Sequence, residues 1–71
     1  MLVIDSLISH PSGFDVVTGT YEGTKFLMYV DYMNSSFTFS PDTQLSAEEK
    51  EKVYHLFMKN EYTYAEGFVS Y

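Results

Sequence analysis

Seventy-one residues, 45% of them hydrophobic and 18% aromatic, are too apolar for intrinsic disorder and too few for a second domain, so residues 1–71 read as one small domain. Without cysteine the chain has no disulfide, no thiol nucleophile and no Cys-type zinc site, and its fold must rest on packing. A net charge of −6, from ten acids against four lysines, argues against direct nucleic-acid contact, which is built from Lys and Arg. The first nine residues, MLVIDSLIS, lack a basic leader and interrupt their apolar run with Asp5. No run of eighteen apolar residues occurs, so the expectation is a soluble cytoplasmic protein that does not touch a membrane.

In chain order, apolar and β-branched runs predict strands at about 2–9, 14–21, 24–32 and 36–39. Turn residues separate them at His10–Gly13, Glu22–Gly23, Asn34–Ser35 and Ser40–Asp42. The order suggests an antiparallel meander. Leu45-Ser46-Ala47-Glu48-Glu49 then has the form of a capping box, in which Ser46 and Glu49 satisfy each other's amides at a helix start. A helix over about 46–60 follows, with Val53, Leu56, Phe57 and Asn60 on one stripe flanked by Ala47 and Lys50. In the tail, Tyr62, Tyr64 and Phe68 are placed to add an edge strand or to wrap the end of the core. The expected fold class is α+β, a two-layer domain with a meander of three to four strands and one helix on one face.

Two-residue turns at Glu22–Gly23 and Asn34–Ser35 fix the register, because pairing preserves the face. The first sets Tyr21 opposite Thr24, Gly19 opposite Phe26, Val17 opposite Met28 and Asp15 opposite Val30. The second sets Tyr32 opposite Phe37 and Val30 opposite Phe39. One face then carries Val17, Tyr21, Phe26, Met28, Val30, Tyr32, Phe37 and Phe39, and the helix should cover it. The reverse carries Phe14, Val16, Thr18, Thr20, Lys25, Leu27, Tyr29, Asp31 and Thr38. Gly19 leaves room for the Phe26 ring or marks a bulge. Tyr21, Tyr32 and Tyr54 read as half-buried residues with their hydroxyls in water.

No residue pattern supplies catalysis. His10 precedes a proline in a turn, and the pair Glu51 and His55, four apart on the helix, reads as a surface contact rather than a ligand pair. No cofactor, metal or nucleophile motif occurs. The chemistry left is recognition of another protein. Val16, Leu27, Tyr29 and Asp31 on the uncovered sheet face, and Tyr62 and Tyr64 in the tail, are the aromatic and apolar candidates. Glu48, Glu51, Glu61 and Glu66 are the acidic ones, suited to a basic channel. A small, acidic, cysteine-free α+β domain is similar in composition and fold class to phage-encoded inhibitors of host enzymes, anti-CRISPR proteins among them. That analogy implies a host nuclease complex as partner, met by occlusion or acidic mimicry. The alternatives are an assembly module that homodimerises through its sheet, and a small enzyme or ligand binder.

Overall fold

The computed structural model describes residues 1–71. Five strands and one helix follow the order β1 (Leu2–Ser9), β2 (Asp15–Tyr21), β3 (Thr24–Asp31), β4 (Ser36–Phe39), α1 (Ala47–Met58) and β5 (Thr63–Ser70). They form a single sheet in the spatial order β4-β3-β2-β1-β5. The first four strands are the antiparallel meander expected from the turns. The tail adds a fifth strand that runs parallel to β1, because α1 returns the chain to the end of the sheet where β1 begins. The α+β architecture, with one helix on one sheet face, is therefore as read, with one strand more.

Glu22 and Gly23 have φ of 49° and 81°, the paired positive values of the hairpin turn that matches strand twist. The β2–β3 register is accordingly the expected one, with Tyr21 paired to Thr24, Gly19 to Phe26, Val17 to Met28 and Asp15 to Val30. The next turn differs. Tyr32 to Ser35 form a four-residue connection in place of a two-residue one, so Val30 pairs with Phe37 and Met28 with Phe39. Asp31 holds this longer loop by accepting from the Met33 and Asn34 amides and from the Asn34 side chain. The register moves by two residues, an even number, so Phe37 and Phe39 keep the face assigned to them. Tyr32 leaves the sheet and sits in the loop, 46% exposed.

Leu2, Ile4, Val17, Phe26, Met28, Val30 and Phe39 form the sheet side of the core. Val53, Tyr54 and Phe57 form the helix side, with Leu45 just before the helix. Tyr54 departs from expectation. It is buried, 9% exposed, and stacks on Phe37 with ring centroids 4.3 Å apart, while Leu56 is only half-buried. The helix is thus rolled so that Tyr54 rather than Leu56 completes the stripe with Val53 and Phe57. Lys50 lies 5.8 Å from the centre of the Phe39 ring, which places its charge over an aromatic face.

Both helix ends are closed. The Ser46 hydroxyl accepts from the Glu49 amide at 3.1 Å and the Glu49 carboxylate from the Ser46 amide at 3.0 Å, as the capping box requires. At the other end Asn60 adopts φ 59°, and the Asn60 and Glu61 amides donate to the Phe57 and Leu56 carbonyls. These two bonds make a Schellman stop with Asn in the left-handed position. The helix therefore spans 47–58, inside the wider range expected.

Candidate binding surface

The second face of the sheet is built by the pairing itself. One row across four strands consists of Ile8, Val16, Tyr29 and Thr38. The next consists of Val69, Ser6, Thr18 and Leu27, and a third of Thr63, Val3, Thr20 and Lys25. Alternation explains why these side chains share a face opposite the helix. Ile8, Tyr29 and Val69 are 37%, 39% and 40% exposed, and Val3, Phe14, Val16 and Leu27 are half-buried. Neither β1 nor the tail folds over this face; both extend the sheet sideways instead.

Two features shape the surface. At its centre the Ser6 and Thr18 hydroxyls hydrogen-bond each other at 2.5 Å, so the polar atoms there are partly satisfied before any contact is made. At one end, His10 stacks on Phe14 with centroids 4.4 Å apart, and Phe14 meets Tyr29 edge-on at 6.0 Å. The His10 Nδ1 accepts from the Ser12 amide at 3.1 Å. Beside this aromatic chain lies a depression of about 300 Å³ lined by Phe14, Tyr29, Asp31 and Phe37, among others.

The expected site residues separate into groups. Val16, Leu27, Tyr29 and Asp31 do share the open face. Leu27 is less accessible than Tyr29, since its amide donates to the Thr43 hydroxyl and its carbonyl accepts from the Ser40 amide, which brings the turn after β4 alongside it. Asp31 is engaged by its loop, and the Asn34 side chain, followed by the Asn34 amide, holds its carboxyl below the usual carboxylate range. Tyr62 is half-buried on the helix side, stacked on Phe57 at 5.6 Å. Burial first, and then a hydrogen bond with Tyr64, raise its phenol to about 12. Tyr64 pairs with Ile4 on that same helix side, so neither tail tyrosine joins Tyr29. Glu48 and Glu51 are exposed on α1, and Glu61 and Glu66 are exposed outside it. The structure does not gather these four with the open face.

Ile8 and Val69 were missing from the expected surface. Ile8 lies in a strand whose loop, residues 10–14, fixes no two-residue register. Val69 is placed by a parallel pairing to Ser6 that no local signal announces. Glu51 and His55 make no hydrogen bond or ion pair with each other, and no three His, Asp or Glu side chains converge to hold a metal ion. No helix is long and apolar enough to cross a membrane. Comparison with protein-family models, with curated proteins and with solved structures finds no match to this chain.

Proposed function

We propose that this chain is a non-enzymatic protein-binding domain whose recognition surface is the open sheet face. The observation that supports it is the run of Ile8, Val16, Tyr29, Leu27 and Val69 on a face that no strand or helix covers, bordered only by the loops of Phe14 and Thr43. Strands of 8, 7, 8, 4 and 8 residues, about 4.8 Å apart, outline a face on the order of 550 Å². That is about two thirds of the roughly 800 Å² which one partner contributes to a standard protein interface. Tyr29 is the anchor, a large rigid ring with a polar tip. The biological role that composition favours is inhibition of a host enzyme complex, such as a nuclease complex, by an acidic protein of the kind phages encode.

The test is the double variant Ile8→Thr, Tyr29→Thr, which keeps β-forming residues in the strands. Its stability should fall by only about 1 kcal/mol, since both side chains are partly exposed. Affinity purification with the unaltered chain identifies the partner, and binding of that purified partner is then measured with both forms. Loss of binding by a folded variant supports the reading; full binding by a folded variant removes it. Sedimentation of the unaltered chain alone distinguishes self-association, the outcome that would make the sheet face a homodimer contact.

A further inference from the structure

Asp15 is out of keeping with its side of the sheet. It pairs with Ser9 on one flank and Val30 on the other, so its carboxylate lies on the helix side with Leu7, Val17 and Val30. It is half-buried, yet no lysine reaches it. The chain's two ion pairs join the Met1 amine to Glu22 and Lys52 to Glu48. A carboxylate beside apolar surface is stabilised when a cation joins it. Its neighbour within the chain is the Tyr32 phenol, raised to about 12 by burial first and then by the hydrogen bond and charge of Asp15.

Asp15 and Tyr32 line a cavity of about 320 Å³ together with Phe57, Asn60 and Tyr62. Phe57 and Asn60 belong to the C-terminal end of α1 and its stop, where the Asn60 and Glu61 amides already satisfy the Phe57 and Leu56 carbonyls. The Phe57 and Tyr62 rings stack on each other, 18° from parallel with centroids 5.6 Å apart, and Phe57 is buried, so the aromatic surface left to a ligand is that of the half-buried Tyr62 and the exposed Tyr32. A carboxylate beside aromatic rings favours a cation that can meet both.

We infer that this cavity receives a guanidinium group, the side chain of an arginine presented by a partner protein. A guanidinium suits it better than an ammonium, because a planar cation can lie on a ring face while its N–H fork meets a carboxylate. The cavity is on the helix side, opposite the open sheet face, so this inference stands or falls independently of the reading of that face. The competing role for Asp15 is to fasten the loop of Tyr32 and nothing more.

The experiment is an NMR titration of the full chain with N-acetyl-arginine amide, with N-acetyl-citrulline amide, which has the same shape without the charge, and with N-acetyl-lysine amide carrying a free amine. The arginine compound should move the amides of Asp15, Tyr32, Asn60 and Tyr62 saturably, and the other two should bind about tenfold more weakly, a difference of about 1.4 kcal/mol. Asp15→Asn, which keeps an acceptor for the Tyr32 hydroxyl, should weaken arginine binding by a similar factor with an unchanged melting temperature. Equal responses to arginine and citrulline would overturn the inference, and so would shifts spread over Glu48, Glu51 and Glu66 instead of the cavity. A lysine compound binding as well as arginine would overturn the guanidinium assignment. A variant that melts earlier but binds arginine unchanged would leave Asp15 as a loop fastener. The arginine and citrulline comparison needs no variant, so it decides the matter even if Asp15→Asn fails to fold.

Discussion

Gly19 shows how one missing side chain sets the position of a strand. Its φ is not positive, so conformational freedom is not the reason a glycine stands there. A Cβ at this position would lie 2.1 Å from the Val3 carbonyl oxygen and 3.1 Å from the Ile4 Cα. The β1 backbone comes this close at the bulge between Ile4 and Ser6, where Ile4 pairs with Gly19 and the ladder is locally distorted. The obstacle is backbone, which cannot rotate aside as a side chain would. Gly19→Ala should therefore destabilise the domain by about 3 kcal/mol, the upper end of overpacking losses, measured by urea unfolding. A loss below about 0.5 kcal/mol would mean that β1 relaxes freely and that the bulge does not depend on the glycine. The sequence reading allowed a bulge at Gly19, but the bulge is on the neighbouring strand, whose pairing the residues around Gly19 do not encode.

Among the elements, those fixed by local chemistry were legible in full, while β1 and the edge strand β5 were legible as strands but not in their pairing, which distant partners fix. The Glu22–Gly23 turn, the strands beside it and the Ser46–Glu49 cap each depend on residues within a few positions, and each stands where it was expected. The loop of Tyr32 to Ser35 was read two residues short, because Asp31 captures the Met33 and Asn34 amides and diverts the chain before Asn34 and Ser35 can turn alone. β5 depends on a parallel partner sixty residues away and on an irregularity between Tyr64 and Val69, where Gly67 takes φ 85°. No periodicity in the tail signals that pairing. For the site, the parity of the register placed Val16, Leu27 and Tyr29 correctly, while Ile8 and Val69 required β1 and β5 to be paired. The cap also gives a testable energy. Ser46→Ala should remove about 1 kcal/mol, and adding Glu49→Gln should change little more, because the two side chains form one reciprocal unit. The Glu49 carboxyl is held below its usual range first by the Ser46 amide and then by its hydroxyl. A carboxyl whose folded pKa is depressed contributes stability above its unfolded pKa and loses it as pH falls through the folded value. The difference between the unaltered chain and Glu49→Gln should thus close in acid, and a difference that persists at pH 2 would show that the charge on Glu49 is not what the cap uses.

At the scale of the molecule, the paired rows of the open face are poor in charge, although Asp42 borders them beside Thr18, Lys25 and Leu27. Among residues paired across the sheet, the open face carries one lysine, Lys25, and one carboxylate, Asp31, already committed to its loop. Glu48 and Glu51 are exposed on α1, and Glu61 and Glu66 are exposed in the segment after it, and together they make up much of the net charge of −6. The two routes to a partner therefore differ in their sensitivity to salt. Raising ionic strength from 0.1 M to 1 M shortens the Debye length from about 10 Å to about 3 Å, which weakens contacts between exposed charges and leaves apolar contacts intact. Binding through Tyr29 and Ile8 should change by less than about threefold over that range, because burial of apolar area is not a Coulombic term. The triple variant Glu48→Gln, Glu51→Gln, Glu66→Gln should bind with similar affinity; Glu49 is spared because it caps the helix. The same salt increase should raise the melting temperature of the free domain, since a chain this acidic repels itself and its ion pairs are exposed ones worth little. Affinity measured by calorimetry against the purified partner decides between the routes. A fall of more than about tenfold with salt, reproduced by the triple variant at low salt, would move the contact to the acidic helix and make imitation of nucleic acid in a basic channel the mode of binding.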